Sequence, residues 1–230
     1  MQYIFVHGLG QTEKSWDDVT TNLPQAQLHC PSLQGLLKSQ DAAYGPLYEC
    51  FKEYCNGFYG PLNLCGLSLG GVLALNYAMD FPNKVSSLVL IGAQYKMPKT
   101  LLRLQNVVFW FMPKSLFEDM GFTKKSFISL ANSMAMLDFT DGLPNIHCRA
   151  LVICGDKDRA NRQAAIELSQ KLENARLVLI PNANHEVNVD NPEGLAQELK
   201  KFYQEAIPPE NESMAAGMAP LPQESEGNTG

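Results

Sequence analysis

Residues 60–71 read GPLNLCGLSLGG, and this stretch decides the fold. Its first part, residues 62–65, is a short apolar run that predicts a buried strand, while the apolar residues at 69–79 predict a buried helix. Between them, the pattern Gly-x-Ser-x-Gly centred on Ser68 is typical of a sharp strand-to-helix turn that exposes the serine hydroxyl. The flanking glycines fit a turn in which a Cβ would collide with neighbouring backbone. Ser68 is therefore the candidate nucleophile.

Strands and helices alternate along most of the chain. Short apolar runs predict strands at residues 2–6, 27–30, 62–65, 87–91, 150–154 and 176–180. Helical spacing of apolar residues predicts helices at about 16–23, 44–58, 69–79 and 161–172, with a last helix capped by Asn191. This order predicts an α/β fold, a mostly parallel sheet of about six strands with helices on both faces. Function is then expected at the carboxyl ends of the strands.

Residues 95–147 interrupt this alternation, because these 53 residues lie between two core strands where one crossover helix would suffice. The segment is rich in aromatic residues and methionines, so we expect a helical cap insertion over one edge of the sheet. The tail at residues 207–230 holds four acidic residues, no Lys or Arg, and several prolines, and is expected to be disordered. The predicted organisation is a single domain at 1–206, with the cap at about 95–147.

Charge and composition exclude several classes of protein. The 230 residues include 18 Lys and Arg against 24 Asp and Glu, a formal net charge of −6, which disfavours nucleic-acid binding. No apolar run approaches the roughly 20 residues that span a bilayer, so no membrane span is predicted. The six cysteines show no metal-ligand spacing, and the first residues do not resemble an export signal. We therefore expect no bound metal, reduced thiols and a cytoplasmic protein.

A serine nucleophile needs a base, and the base needs an acid that orients it. His185 lies in a loop after the last predicted strand, at the same sheet edge as Ser68, and is the best candidate base. The strand ending at residue 154 is followed by two acids, of which Asp158 is preferred and Asp156 is the alternative. Asp in such loops also caps turns and helices, so a structural role is open. His7, at the end of the first strand, is interpreted as a structural residue with a buried hydrogen bond.

Residues 7–10 read HGLG and offer backbone N–H groups at the end of the first strand. An anion that develops on a substrate carbonyl could be held by the N–H of Leu9 and the N–H of Leu69, the residue after Ser68. A plain strand-to-helix turn without chemistry is the alternative interpretation of this motif.

These motifs together resemble the α/β-hydrolase superfamily. The HGLG turn, the Ser68 turn, the acid after Gly155 and the His185 loop occur in the order that the family uses. The resemblance implies that Ser68 is the nucleophile, His185 the base and Asp158 the acid of a Ser-His-Asp triad, with no metal or organic cofactor. The chain begins at what is usually the third strand of the family, so the first antiparallel hairpin is expected to be missing.

The implied reaction is cleavage of a carboxylic ester or thioester of a small substrate through an acyl-enzyme. The cap would set specificity, with Phe109, Trp110, Phe111 and Met112 as candidate pocket residues, although they could equally form the core of the cap. Six basic against four acidic residues in the cap suggest an anionic substrate, although a solvated surface with scattered charges would show the same balance. The alternatives are C–C bond hydrolysis, lyase or acyl-transfer chemistry with the same triad, or a ligand-binding protein on this scaffold. The sequence leaves substrate identity and oligomeric state open.

Overall fold

The computed structural model describes residues 1–23, 27–38, 41–97, 113, 117 and 122–205. Within these residues the strands form one sheet in the order β2-β1-β3-β4-β5-β6, with all neighbours parallel. The bounds are β1 (Gln2–Val6), β2 (Gln27–His29), β3 (Leu62–Leu67), β4 (Val85–Ile91), β5 (Arg149–Gly155) and β6 (Ala175–Ile180). The predicted parallel sheet of about six strands is confirmed.

Eight α-helices lie in the described residues. They are α1 (Asp17–Thr21), α2 (Leu33–Leu37), α3 (Tyr44–Asn56), α4 (Leu69–Asp80), α5 (Lys124–Ser133), α6 (Arg159–Lys171), α7 (Val187–Asp190) and α8 (Pro192–Gln204). The sequence missed α2 and α7, because four or five residues are too few to show a helical period. It also started the first helix one residue early, since a 3-10 turn over Glu13–Trp16 precedes α1. None of the described helices is long and apolar enough to cross a membrane.

Helices cover both faces of the sheet, as predicted. Because successive strand residues point to opposite faces, Ile4 and Val6 of β1 join one core while Phe5 joins the other. The first core receives side chains from α2, α3, α4 and α6, and the second from α1, α7 and α8. The sheet is thus buried on both sides, which fixes the edge where its carboxyl ends meet as the place for a site.

The described part of the insertion packs onto the first core. Phe127 and Leu130 of α5 are buried there, and Ser133 Oγ accepts a hydrogen bond of 2.8 Å from the N–H of Tyr44 at the start of α3. This segment thus contains a helix, and its role as a cap over one edge of the sheet stays a prediction. The domain boundary at residue 206 stays a prediction, and the predicted tail at 207–230 lies outside the described residues.

The start of α4 approaches the backbone of β1 unusually closely. A Cβ added at Gly70 would lie 2.1 Å from the carbonyl oxygen of Val6 and 2.7 Å from that of His7. These partners are backbone atoms of a buried strand end, so they cannot turn aside as a flexible side chain would. The close approach seats the N-terminus of α4, and with it Ser68, against the end of β1.

Gly70→Ala is therefore expected to lower the free energy of unfolding by about 3 kcal/mol or more, because the added methyl group forces β1 and α4 apart. Gly45→Ala is the matched control, since a Cβ at Gly45 in α3 meets nothing within 4 Å. That change is expected to stabilise the protein by about 0.5–1 kcal/mol. Urea unfolding of both variants measures the difference. Equal stability of Gly70→Ala and the wild type would contradict the close approach.

Candidate active site

Ser68 lies in a strained turn between β3 and α4. Its φ of 52° and ψ of −116° fall outside the regions that residues with a side chain ordinarily adopt. The N–H of Ser68 donates a hydrogen bond of 2.8 Å to the carbonyl of Ile91, the last residue of β4. This bond fixes the turn to the neighbouring strand. The strained conformation agrees with the sharp turn that the sequence predicted.

Asp158 and His185 meet at the same edge, although 27 residues separate them in the chain. His185 Nδ1 lies 2.9 Å from Asp158 Oδ2. The Asp158 side chain is only 5% exposed, whereas that of His185 is 39% exposed. The acid is thus shielded from water, while the imidazole keeps an open side that a substrate could approach.

Asp158 serves two structural roles at once. It is the N-cap of α6, where its Oδ1 accepts a hydrogen bond of 3.2 Å from the N–H of Asn161, and it pairs with His185. The Asn161 side chain adds contacts of 2.9 and 2.8 Å from its Nδ2 to the two carboxylate oxygens. Burial acts to raise the pKa of Asp158, but the hydrogen bonds from His185 and Asn161 outweigh it and lower the pKa below its ordinary value.

Gly92, which follows β4, explains how the imidazole fits beside the serine turn. A Cβ at Gly92 would lie 3.0 Å from both Cε1 and Nδ1 of His185, and the residue has a φ of 55°. Its neighbour Ile91 accepts the hydrogen bond from the N–H of Ser68. Gly92 therefore lies beside the imidazole, and Ile91, which precedes it, is hydrogen-bonded to the serine turn. This shared neighbour brings Ser68 and His185 to one place.

The turn after β1 borders the same place. The N–H of Gln11 donates to the carbonyl of Gly8 at 3.2 Å, and Gly10 has a φ of 94°, which suits the third position of a tight turn. A Cβ on Gly8 would lie 3.4 Å from Ser68 Cβ. The bond that closes the turn does not involve the N–H of Leu9, and the N–H of Leu69 belongs to the first turn of α4, where helices have no internal acceptor. Both predicted donors thus lie in segments beside Ser68.

His7 has the structural role that the sequence indicated. The ring is 2% exposed, its Nδ1 lies 2.9 Å from the carbonyl of Gly8, and its Nε2 accepts a hydrogen bond of 3.1 Å from the N–H of Leu33. Nδ1 therefore carries the proton in the neutral ring. Burial lowers the pKa of His7, although the hydrogen bond to Gly8 acts in the opposite direction.

Other predicted or alternative residues do not meet at this place. Within the described part of the chain, Asp156 Oδ1 is buried without a hydrogen-bond partner, and His185 pairs with Asp158 instead. His29 lies 2.7 Å from Gln2 Oε1, and His147 lies 3.4 Å from Glu173 on the surface. The candidate pocket residues lie outside the described residues, namely Phe109, Trp110, Phe111 and Met112. No cluster of three potential metal ligands occurs among the residues that the structure describes.

The sequence missed two amides that hold the acid. Asn161 contacts Asp158, and the Nε2 of Gln94 donates a hydrogen bond of 2.7 Å to Asn161 Oδ1. The only local signal was the spacing, because a residue three places after a helix N-cap donates its N–H to the cap. Gln94 follows β4 and reaches Asn161 from a distant part of the sequence, and no local pattern indicates such a contact.

This chain is similar to known proteins in sequence and in fold. The model of the family described as alpha/beta hydrolase matches residues 3–198. A Bacillus subtilis protein is 25% identical over 86% of this chain and 89% of its own, and its provisional name is 2-succinyl-6-hydroxy-2,4-cyclohexadiene-1-carboxylate synthase. A pimeloyl-[acyl-carrier protein] methyl ester esterase of Nitrosomonas europaea is 32% identical over 39% of this chain and 36% of its own.

Solved structures agree in fold. A thermophilic esterase from Thermogutta terrifontis superposes with a TM-score of 0.72 at 22% identity, covering 88% of this chain and 89% of the esterase. At 22% identity, this structural similarity is evidence for the fold alone. The family model, in contrast, spans most of the chain, from β1 to the last helix. The chain therefore belongs to the alpha/beta hydrolase family and is an enzyme of the hydrolase type.

Proposed function

We propose that this protein is a serine hydrolase that cleaves a carboxylic ester or thioester of a small substrate. The observation that carries the proposal is the Asp158–His185 contact of 2.9 Å at the sheet edge where Ser68 sits in its strained turn. A nucleophile, a base beside it and a buried acid behind the base form the arrangement that activates a serine hydroxyl.

In the first half of the reaction, His185 acts through Nε2, because Nδ1 faces Asp158. Nε2 takes the proton of the Ser68 hydroxyl as Oγ attacks the substrate carbonyl. The N–H groups of Leu9 and Leu69 hold the oxyanion of the tetrahedral intermediate. The imidazolium then gives its proton to the leaving alcohol or thiol, and an acyl-enzyme on Ser68 remains.

In the second half, a water molecule replaces the leaving group. His185 takes a proton from this water as it attacks the acyl carbonyl, and the collapse of the second tetrahedral intermediate returns the proton to Ser68 Oγ. Asp158 stays ionised throughout and stabilises the imidazolium. Its lowered pKa favours that role, because a carboxyl that resists protonation keeps its charge beside the ring.

The esterases among the relatives support an ester substrate. One is named as a pimeloyl-[acyl-carrier protein] methyl ester esterase, and the similarity to it covers 39% of this chain. The six basic residues of the cap segment suit an anionic substrate or carrier.

We also propose a cytoplasmic location, since all six cysteines are free thiols.

A second function has its own support. The Bacillus subtilis relative, which spans 86% of this chain, is named as a synthase of a cyclohexadiene carboxylate and not as an esterase. The same three residues would then catalyse a lyase, C–C cleavage or acyl-transfer reaction on a small metabolite. Product analysis separates the two functions, because ester hydrolysis releases an acid and an alcohol or thiol in equal amounts.

A fluorophosphonate probe tests the proposed nucleophile directly. We expect one label per chain in the wild type and none in Ser68→Ala, because only an activated serine attacks the phosphorus. His185→Ala is expected to slow labelling by at least about 10³-fold. Labelling of the wild type at another residue, or no labelling of a folded sample, would contradict the proposal and favour a ligand-binding scaffold.

A further inference from the structure

A buried pair of amide side chains joins the two loops of the proposed site, and no step of the proposed reaction uses it. Gln11 and Asn188 are 177 residues apart, and they are 6% and 1% exposed. Gln11 Nε2 donates to Asn188 Oδ1 at 3.0 Å, while Asn188 Nδ2 donates to Gln11 Oε1 at 3.2 Å. Two reciprocal hydrogen bonds in a buried setting hold the side chains in one arrangement.

Each end of this pair is fixed to a functional segment. On one side, Gln11 Oε1 accepts a hydrogen bond of 3.3 Å from the N–H of Gly8, next to the proposed donor Leu9. On the other side, Asn188 lies in α7, three residues after His185, and its Nδ2 also donates to the carbonyl of Ser15 at 2.9 Å. The neighbouring Val187 is fully buried in the second core.

We propose that Gln11 and Asn188 are positioning residues that lock the turn of the oxyanion donors to the loop of the catalytic base. This inference rests on the proposed function. Oxyanion donors act only when they point at the place where charge develops, and the base must reach the serine hydroxyl at the same time. The Gln11–Asn188 bridge between the two loops fixes the oxyanion donors and the base in position relative to each other. Replacing either amide leaves the other buried without its partner, so both loops gain freedom.

The test is a double-mutant cycle of Gln11→Leu and Asn188→Leu, with p-nitrophenyl acetate as the probe substrate. Each single change is expected to lower kcat about 10-fold with KM within about 2-fold, because a displaced donor costs less than the 10²–10³-fold of a lost donor. The double variant is expected to lose no more than either single variant, since both remove the same bridge. Unchanged kcat, or losses that multiply to about 100-fold, would overturn the proposal.

Asn63→Leu is the matched control for a merely structural role. Asn63 is a buried amide in β3 that accepts a hydrogen bond of 2.7 Å from Ser87, at the opposite end of the strand from Ser68. Its loss is expected to lower stability with kcat unchanged. If the leucine variants do not fold, a second pair of variants, in which the longer and the shorter amide side chain change places, tests the proposal. Gln11→Asn and Asn188→Gln are each expected to lower kcat, and the two together to restore most of it.

Failure of the bridge and failure of the serine mechanism are distinguishable. If the wild type neither turns over the probe nor reacts with fluorophosphonate, the proposed function fails, and hydrogen exchange tests the bridge alone. Asn188→Leu is then expected to speed amide exchange at residues 8–11 about 10-fold or more, while exchange in β3 and β4 stays unchanged. Unaltered exchange at residues 8–11, or a uniform increase over the whole chain, would overturn the bridge.

Discussion

Ser68→Ala is expected to lower kcat for p-nitrophenyl acetate by at least about 10⁴-fold, with the free energy of unfolding within about 0.5 kcal/mol of the wild type. The activity falls because the only atom removed is the proposed nucleophile. The stability changes little because alanine keeps the Cβ, and with it the same backbone strain at a φ of 52°. Steady-state kinetics and urea unfolding on one preparation measure both quantities.

Ser68→Gly is the companion variant that separates chemistry from strain. Glycine adopts a positive φ without steric cost, and the strain at such a position is on the order of 1–3 kcal/mol. After the entropy that glycine gains in the unfolded chain, about 1 kcal/mol of added stability is expected, with activity as low as in Ser68→Ala. Residual activity near the wild-type level in either variant would refute Ser68 as the nucleophile.

Much of this fold was accessible from the sequence because its signals are local. The strand, the turn at Ser68 and the start of α4 occupy twelve consecutive residues, 60–71, and each imposes a pattern on its own stretch. The contact between Asp158 and His185 is distant in sequence, yet it follows from topology. Asp158 follows β5 and His185 follows β6, and the carboxyl ends of parallel strands share one edge.

The amide side chains that hold the site residues in place could not be predicted from the sequence in the same way. Gln11 and Asn188 are ordinary polar residues in sequence, and only the packing of α7 against the turn after β1 makes them partners. Asn161 and Gln94 behave alike, since a side-chain amide has no preferred spacing to a distant acceptor. Local periodicity thus predicts the strands and helices and the sheet edge where the site lies. Hydrogen bonds between loops depend on tertiary structure, which no local pattern indicates.

Asp158→Asn is expected to lower kcat by about 10³–10⁴-fold while KM changes little. An asparagine amide group can donate a hydrogen bond to Nδ1, which leaves the proton on Nε2, where the imidazole cannot accept one from Ser68. The variant should also lose stability at neutral pH. Because the folded pKa of Asp158 is lowered, its ionised form stabilises the fold above its ordinary pKa, and this contribution disappears as the pH falls through the folded value.

Asp156→Asn is the matched control, since it removes the other acid of the same loop. Its backbone carbonyl accepts a hydrogen bond of 2.5 Å from the Arg162 guanidinium, an interaction that the amide variant retains. We expect kcat within about 3-fold of the wild type. The stability gap between Asp158→Asn and the wild type should narrow on acidification. Asp156→Asn keeps the Asp158 carboxylate, so it should keep the part of the pH dependence that this group causes. Should Asp156→Asn abolish turnover while Asp158→Asn retains it, Asp156 would be the acid that orients His185.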